Sequence, residues 1–332
     1  MNGLIPGLIS RLISRPTKHR AVIAAVAVCA GAVVVADACL MLPGVPAQAY
    51  LDLGATGQGR VGYLKQINSA GQIGWASVTF INERYAITSA HLVTLLLQNG
   101  GSLQVGTGAN YLTDPGTLVG VAEVLVYPTY QGGNDVTNPD IAILRLATPL
   151  KGITQVEYGN ASPFEVVTSY GYGFAFYAGQ PTVPRDGFRR GWNARVRSSA
   201  PLFGNDQWYN STLFGDANVP VNGKGLGGDS GGGVFNAQGQ LVGINFGQSG
   251  NNASVGTTSY NDLAQPEVLA WVQANTTIPP TCGADINCDG GVNSKDLGAL
   301  LSAWGEPGPT DIDDSGATDS ADLGTLLSAW TG

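Results

Sequence analysis

Short apolar runs separated by Gly-, Asn- and Ser-rich turns fill residues 50–275. Runs of this length, rich in β-branched and aromatic residues and bounded by turn formers, predict strands. The strands expected are Val61–Ile67, Ile73–Ile81, Tyr85–Thr88, Leu103–Gly106, Val119–Tyr127, Ile141–Leu146, Val166–Tyr170, Arg189–Arg197, Gly233–Asn236 and Leu241–Phe246. Asn68-Ser69-Ala70-Gly71-Gln72 joins the first two as a hairpin turn. One long helical stretch, Asp262–Asn275, sets Leu263, Val268, Leu269 and Val272 on an apolar side, with Pro266 in its first turn. Many strands and a late helix predict a mainly β domain, a closed or sandwiched antiparallel structure over residues 50–275. Pro279-Pro280 stiffens a linker over residues 276–282.

The N-terminal segment has a different pattern. Arg11, Arg15, Lys18 and Arg20 precede a compact apolar stretch over residues 21–36. Ala47-Gln48-Ala49 then supplies small residues at −3 and −1. This predicts a signal peptide over residues 1–49, cleaved after Ala49, and a secreted or surface protein. The alternative is an uncleaved N-terminal anchor. Composition narrows the class: 43% of residues are apolar and 12% charged, which excludes a disordered polyelectrolyte. A net charge of −8 argues against a nucleic-acid partner, which needs a basic face. Of the two histidines, His19 falls in the leader, so any imidazole chemistry rests on His91.

Three segments carry chemistry. In Ala86-Ile87-Thr88-Ser89-Ala90-His91 a strand delivers a histidine after small residues. In Asn138-Pro139-Asp140-Ile141-Ala142-Ile143-Leu144 an aspartate sits at the mouth of an apolar strand. Gly227-Gly228-Asp229-Ser230-Gly231-Gly232-Gly233 puts a serine in a glycine-rich turn. A serine hydroxyl needs a base within reach, and the base needs an orienting acceptor; His91, Asp140 and Ser230 supply these roles. Glycine lets backbone N–H groups point at a developing oxyanion, here those of Gly228 and Ser230. Each residue alone has a structural reading: a core histidine, a capping aspartate, a turn serine.

Together these segments resemble the chymotrypsin-like (trypsin-like) serine protease family over residues 60–275. TSAHL is similar to its histidine motif, PDIAIL to its aspartate motif and GDSGGG to its serine motif. The resemblance implies two six-stranded antiparallel β-barrels with a C-terminal helix, the site between them, and a protein or peptide substrate cleaved by a monomer. It makes Asp229 a buried carboxylate that holds the oxyanion loop. Gly243-Ile244-Asn245-Phe246-Gly247 resembles the substrate-binding strand, so Phe246 and Gly247 are expected at the pocket. Lys224 falls where the family's specificity residue sits at the pocket floor. An aspartate there would select Arg or Lys, so cleavage after basic residues is not expected, and the preference stays open. The family's animal members activate by inserting a new N-terminus against the aspartate before the serine. Cleavage after Ala49 would give that role to the Tyr50 amine. The competing reading pairs Asp229 with an internal donor, an arginine or backbone amides.

Residues 283–332 contain an internal repeat, DINCDGGVNSKDLGALLSAWG against DIDDSGATDSADLGTLLSAWT. Asp285, Asn287, Asp289, Asn293 and Asp296 stand at positions 1, 3, 5, 9 and 12 of a loop with Gly290 at 6. Asp311, Asp313, Ser315, Asp319 and Asp322 repeat this, with Gly316 at 6. Such spacing wraps Ca²⁺ in oxygen ligands, with position 7 giving the carbonyls of Gly291 and Ala317. Two calcium sites are therefore expected, and no cofactor for catalysis. Leu297/Leu300/Leu301/Trp304 and Leu323/Leu326/Leu327/Trp330 follow helical spacing. The pair resembles a dockerin type I module, a small α-helical two-loop unit. That implies either a cohesin-like or cell-surface partner or a calcium-stiffened tail with none. Cys282 and Cys288 are close enough to form a small disulfide in a secreted protein.

The reading is a secreted serine endopeptidase with a calcium-binding tail. The alternatives are a protease-like binding module that has lost catalysis and a surface-assembly protein acting through the tail.

Overall fold

The computed structural model describes residues 39–132, 137–180, 185–197, 208–250, 256–277, 283–287, 289, 291–313 and 315–332. In chain order the elements are β1 (Leu40–Met41), α1 (Ala47–Ala55), β2 (Val61–Ile67), β3 (Ile73–Phe80), β4 (Tyr85–Thr88), a 3₁₀ turn (Ala90–Leu92) and α2 (Thr94–Gln98). There follow β5 (Ser102–Gly106), β6 (Leu118–Val126), β7 (Ala142–Leu146), β8 (Val166–Gly171), β9 (Phe176–Tyr177), β10 (Arg190–Val196), β11 (Tyr209–Phe214) and β12 (Gly223–Lys224). The last are β13 (Gly233–Phe235), β14 (Leu241–Gly250), β15 (Gly256–Asp262), α3 (Pro266–Thr276), α4 (Ser294–Ser302) and α5 (Ser320–Ser328).

The strands close into two six-stranded barrels, β2-β3-β4-β7-β6-β5 and β10-β11-β15-β14-β13-β8, as expected. Closure leaves neither sheet an open edge. Leu64, Val78, Phe80, Val105 and Leu144 fill the first barrel, and Val167, Val196, Val234, Val242 and Tyr260 the second. A third cluster, with Val61, Tyr63, Tyr172, Phe235 and Leu241, joins the two. The β2–β3 register runs from Val61↔Thr79 to Ile67↔Ile73. Asn68 sets it, its side-chain oxygen accepting from the amides of Ala70 (3.0 Å) and Gln72 (2.9 Å). Gly71 takes the left-handed φ of +75° that this turn requires.

Three boundaries differ by several residues from the sequence expectation; one is β14, which runs on to Gly250 rather than ending at Phe246. The late helix starts at Pro266, because β15 runs to Asp262 and proline, lacking an N–H, suits the first helical turn. The fold also begins before Tyr50. Cys39, Leu40 and Met41 are buried, and Leu40 pairs with Lys224 on one side and Phe176 on the other. Tyr50 lies within α1, where its buried hydroxyl donates to the Asn222 carbonyl at 2.6 Å. Arg189, itself buried, donates to the carbonyl of Gly54 at 2.8 Å and clamps α1 to the second barrel. Residues 39–49 are thus part of the fold, and a fold starting at residue 50 is corrected. Leu40 and Met41 form a covered strand. Residues 1–38 of the expected leader lie outside the described residues, as do 278–282 of the expected linker. Among the described residues no helix is long and apolar enough to cross a membrane.

Candidate active site

β4 ends at Thr88, and the 3₁₀ turn that follows carries His91. Asp140 directly precedes the buried Ile141 and β7, the partner of β4, which brings the two residues together. The Asp140 carboxylate grips His91 twice: Oδ1 accepts from the His91 backbone N–H at 2.8 Å, and Oδ2 bonds Nδ1 at 2.6 Å. With the Nδ1 proton facing Asp140, the Nε2 lone pair is left as the basic atom. Asp140 is nearly buried while His91 keeps 29% of its side-chain exposure, so the base is open to the cleft and its acceptor is not.

Asp140 is itself held from the other barrel. Asn261 on β15 accepts from the Asp140 N–H at 2.8 Å and donates to its carbonyl at 3.0 Å. Ser89 ties the histidine turn to β14 through the Asn245 carbonyl at 2.9 Å. Asn261 carries no local motif; Ser89 stands within the histidine motif, but nothing local signals its bond to Asn245.

Ser230 sits on the glycine turn before β13. Its hydroxyl donates to the Phe246 carbonyl at 3.3 Å. Ser77 of β3 fixes the turn from across the cleft. Its hydroxyl donates to the Gly228 carbonyl at 2.8 Å, and its N–H donates to the Ser230 carbonyl at 3.1 Å. Gly228 has φ +95°, a conformation an L side chain resists. The neighbouring amides of Asp229, Gly231 and Gly232 donate to internal carbonyls. Among the described residues those of Gly228 and Ser230 have no internal acceptor. These are the two amides expected at an oxyanion hole.

Asp229 is buried, and its carboxylate accepts from the amides of Gly173 (3.1 Å) and Leu226 (3.0 Å). A side chain at Gly171 would come within 2.0 Å of its Oδ1, which explains the glycine. Burial raises Asp229 to about 7, and the two amides oppose that rise. In the uncleaved chain Tyr50 lies within α1, and the backbone amides of Gly173 and Leu226 hold Asp229.

Of the expected pocket residues, Lys224 is on β12, and Phe246 and Gly247 are consecutive on β14. Lys224 is buried, and its Nζ donates to the Ser249 carbonyl at 3.3 Å. Burial lowers its pKa. The Phe246 ring lies 4.5 Å from that of Tyr209, and a side chain at Gly247 would meet open space.

In the tail, α4 and α5 bury Leu300 and Leu326 against Ala284 and Val292. The expected apolar stripes split. Leu301, Trp304, Leu327 and Trp330 are exposed, because only one side of each helix faces this small core. Asn293 with Asp296, and Asp319 with Asp322, form capping boxes on the two helices. Ligand oxygens of Asp311, Asp313 and Asp322 lie within 4.8 Å of one another, a hard-oxygen set that suits a calcium ion. In the first loop the Asp289 amide donates to Asp285 Oδ1 at 3.1 Å and to Asn287 Oδ1 at 2.9 Å, and the Asp289 carboxylate accepts from Lys295 Nζ at 2.9 Å. Ser315 donates its amide to Asp311, and its hydroxyl to the Ala317 carbonyl. Gly291 likewise offers its carbonyl, here to Asn293. Cys282 and Cys288 lie outside the described residues.

The family model described as Trypsin matches residues 57–307, more than half of the chain. No curated protein matches it. Among solved structures, it is similar to an inactivated protease paralogue of the scabies mite, at 19% identity over 65% of this chain and 93% of that one, with a TM-score of 0.50. It is also similar to a structure described as GrC, at 17% identity over 66% of this chain and 94% of that one, with a TM-score of 0.51. At such identities the likeness is one of fold, and it agrees with the two closed barrels. With the family match covering both barrels, the chain belongs to the trypsin family.

Proposed function

We propose that the protein is an exported serine endopeptidase with a calcium-binding C-terminal module. The observation that carries this reading is the double grip of Asp140 on His91, together with a serine turn on the other barrel whose Gly228 and Ser230 amides have no internal acceptor among the described residues. In the reaction, His91 Nε2 takes the Ser230 proton as Oγ bonds to the scissile carbonyl carbon. The carbonyl oxygen gains the charge, and the amides of Gly228 and Ser230 donate to it. His91 passes the proton to the amine as the C–N bond breaks, leaving an acyl-enzyme. Water, deprotonated by His91, then releases the acid and restores Ser230.

Asp311, Asp313 and Asp322, with Ser315, Asp319 and the Ala317 carbonyl, would hold one calcium ion. Asp285, Asn287, Asp289, Asn293, Asp296 and the Gly291 carbonyl would hold the other. Bound calcium neutralises the clustered carboxylates and orders the loops. The exposed Leu301, Trp304, Leu327 and Trp330 are the surface on which a cohesin-like or cell-surface partner would dock. For export, the start of the fold favours leader removal before Cys39, where Ala36 and Ala38 are small at −3 and −1. N-terminal sequencing of exported protein should read Cys39 first; Tyr50 first would refute that boundary.

The functional test is digestion of a mixed peptide library by the purified chain. Discrete internal cleavages that disappear in Ser230→Ala support the reading. A folded chain that cleaves nothing favours the binding-module alternative.

A further inference from the structure

A cavity of about 190 Å³ opens where the two barrels meet, and none of His91, Asp140 and Ser230 lines it. Arg60, directly before β2, and Phe80, at the end of β3, come from the first barrel. Phe235 and Gly239 come from β13 and the turn after it, and Glu157 from the chain between β7 and β8. Phe80 and Phe235 are buried and make an apolar floor, while Glu157 is exposed at the rim. Arg60 is fixed in place. Its Nη1 donates to the Gly239 carbonyl at 2.8 Å, and its Cζ stands 5.4 Å from the centre of the Phe235 ring. Asn236 holds that turn, its Oδ1 accepting from the amides of Gln238 (3.1 Å) and Gln240 (2.9 Å). A guanidinium has five N–H donors in a planar fork. Among the described residues only the Gly239 carbonyl accepts from that of Arg60, and no carboxylate pairs with it.

We infer that this cavity binds the free C-terminal carboxylate of a peptide, with an apolar last side chain on the Phe80–Phe235 floor. The inference goes beyond the endopeptidase reading and does not depend on it. The remaining N–H groups of Arg60 suit the two oxygens of a carboxylate. Gln155 and Gln238 also line the cavity, and their side-chain amides match the N–H and C=O of a last peptide group. The volume is below the roughly 300 Å³ that a drug-sized ligand takes, so it suits one residue at a chain end. Glu157 sets the charge of the ligand: a dianion such as phosphate meets twice the repulsion that a single carboxylate does. The bland alternative is that Arg60 only staples the β13–β14 turn to the first barrel. It predicts no preference for an acid over its amide.

The experiment is calorimetric titration of the full chain with N-acetyl-leucine, N-acetyl-leucinamide, 4-methylpentanoate and inorganic phosphate. The expected result is one saturable site for N-acetyl-leucine, about 30-fold tighter than for its amide, with the other two weaker by about tenfold or more. Arg60→Met keeps an apolar stem over Phe235 and should abolish the preference for the acid. That variant also loses the bond to Gly239, so two exposed positions are read beside it. Gln238→Glu should weaken N-acetyl-leucine binding and Glu157→Gln should tighten it, each about threefold. Acid and amide bound alike, no saturable site, or an acid preference that survives in Arg60→Met overturns the proposal. So does a pair of rim variants that leaves the affinity unchanged. Equal binding of 4-methylpentanoate overturns the peptide end as the ligand, and tighter binding of phosphate overturns the carboxylate. No readout involves hydrolysis, so failure here leaves the endopeptidase reading standing.

Discussion

The two barrels contribute to the cleft in opposite ways. The first supplies His91 and Asp140 already locked: two bonds join them, and Asn261 holds the aspartate backbone at both its N–H and its carbonyl. The second supplies Ser230 on a turn where two amides have no internal acceptor among the described residues. Yet the turn is not loose, since Ser77 of the first barrel fixes the carbonyls on either side of Asp229. The difference teaches where preorganisation is invested. The acid–base half is satisfied internally, while the nucleophile half is rigid but leaves donors for a charge that exists only during reaction.

The sharpest way to break this comparison is to remove one member from each half. His91→Ala and Ser230→Ala should each lower kcat/KM by about 10⁴–10⁶-fold, and the double variant should be little worse, because the residues act as a unit. Additive losses in steady-state assays would mean that the halves do not work together.

Next in size is Gly228→Ala. The new Cβ sits at φ +95° and comes within 2.9 Å of the Gly173 Cα, so the turn must shift and take a donor with it. The expected cost is about 10²–10³-fold in kcat with little change in KM.

The turn's own carboxylate gives a stability test. Asp229 titrates near 7 in the fold, against an ordinary 3.8 in the unfolded chain. A raised acid binds its proton more tightly in the folded state, so its contribution is full below pH 4 and is lost as pH rises through 7. Denaturant melts should show a loss on the order of 4 kcal/mol across that window. In Asp229→Asn the slope should flatten; an unchanged slope would place the titration elsewhere.

The smallest expected effect separates the tail from the barrels. EDTA should lower the helical circular dichroism of residues 283–332 and leave hydrolysis of small peptides unchanged. A parallel loss of both would show that the tail supports the cleft.

How much of this was legible in the sequence follows from distance along the chain. His91, Asp140, Ser230 and Gly228 announce themselves because each sits in a local run of characteristic residues. Asn261 and Ser77 do not, since their bonds close over 121 and 151 residues, and the histidine motif that contains Ser89 says nothing of its bond across 156. Strands rich in Val, Ile and Leu match within about a residue, except β14, which runs four residues past the expected Phe246. β11 (YNSTLF) and β15 (GTTSYND) were missed because they bury Ser, Thr and Asn where apolar residues would give a period of two. At the start of the fold, Leu40 and Met41 are as apolar as a leader, and their place as a strand shows only in their pairing with β12 and β9.

The central claim is that both halves assemble one activated serine. Fluorophosphonate labelling of the full chain, with the modified residue located by mass spectrometry, tests it most directly. The account predicts a single adduct on Ser230 that disappears in His91→Ala. A folded chain without that adduct, or one equally labelled in His91→Ala, would contradict it.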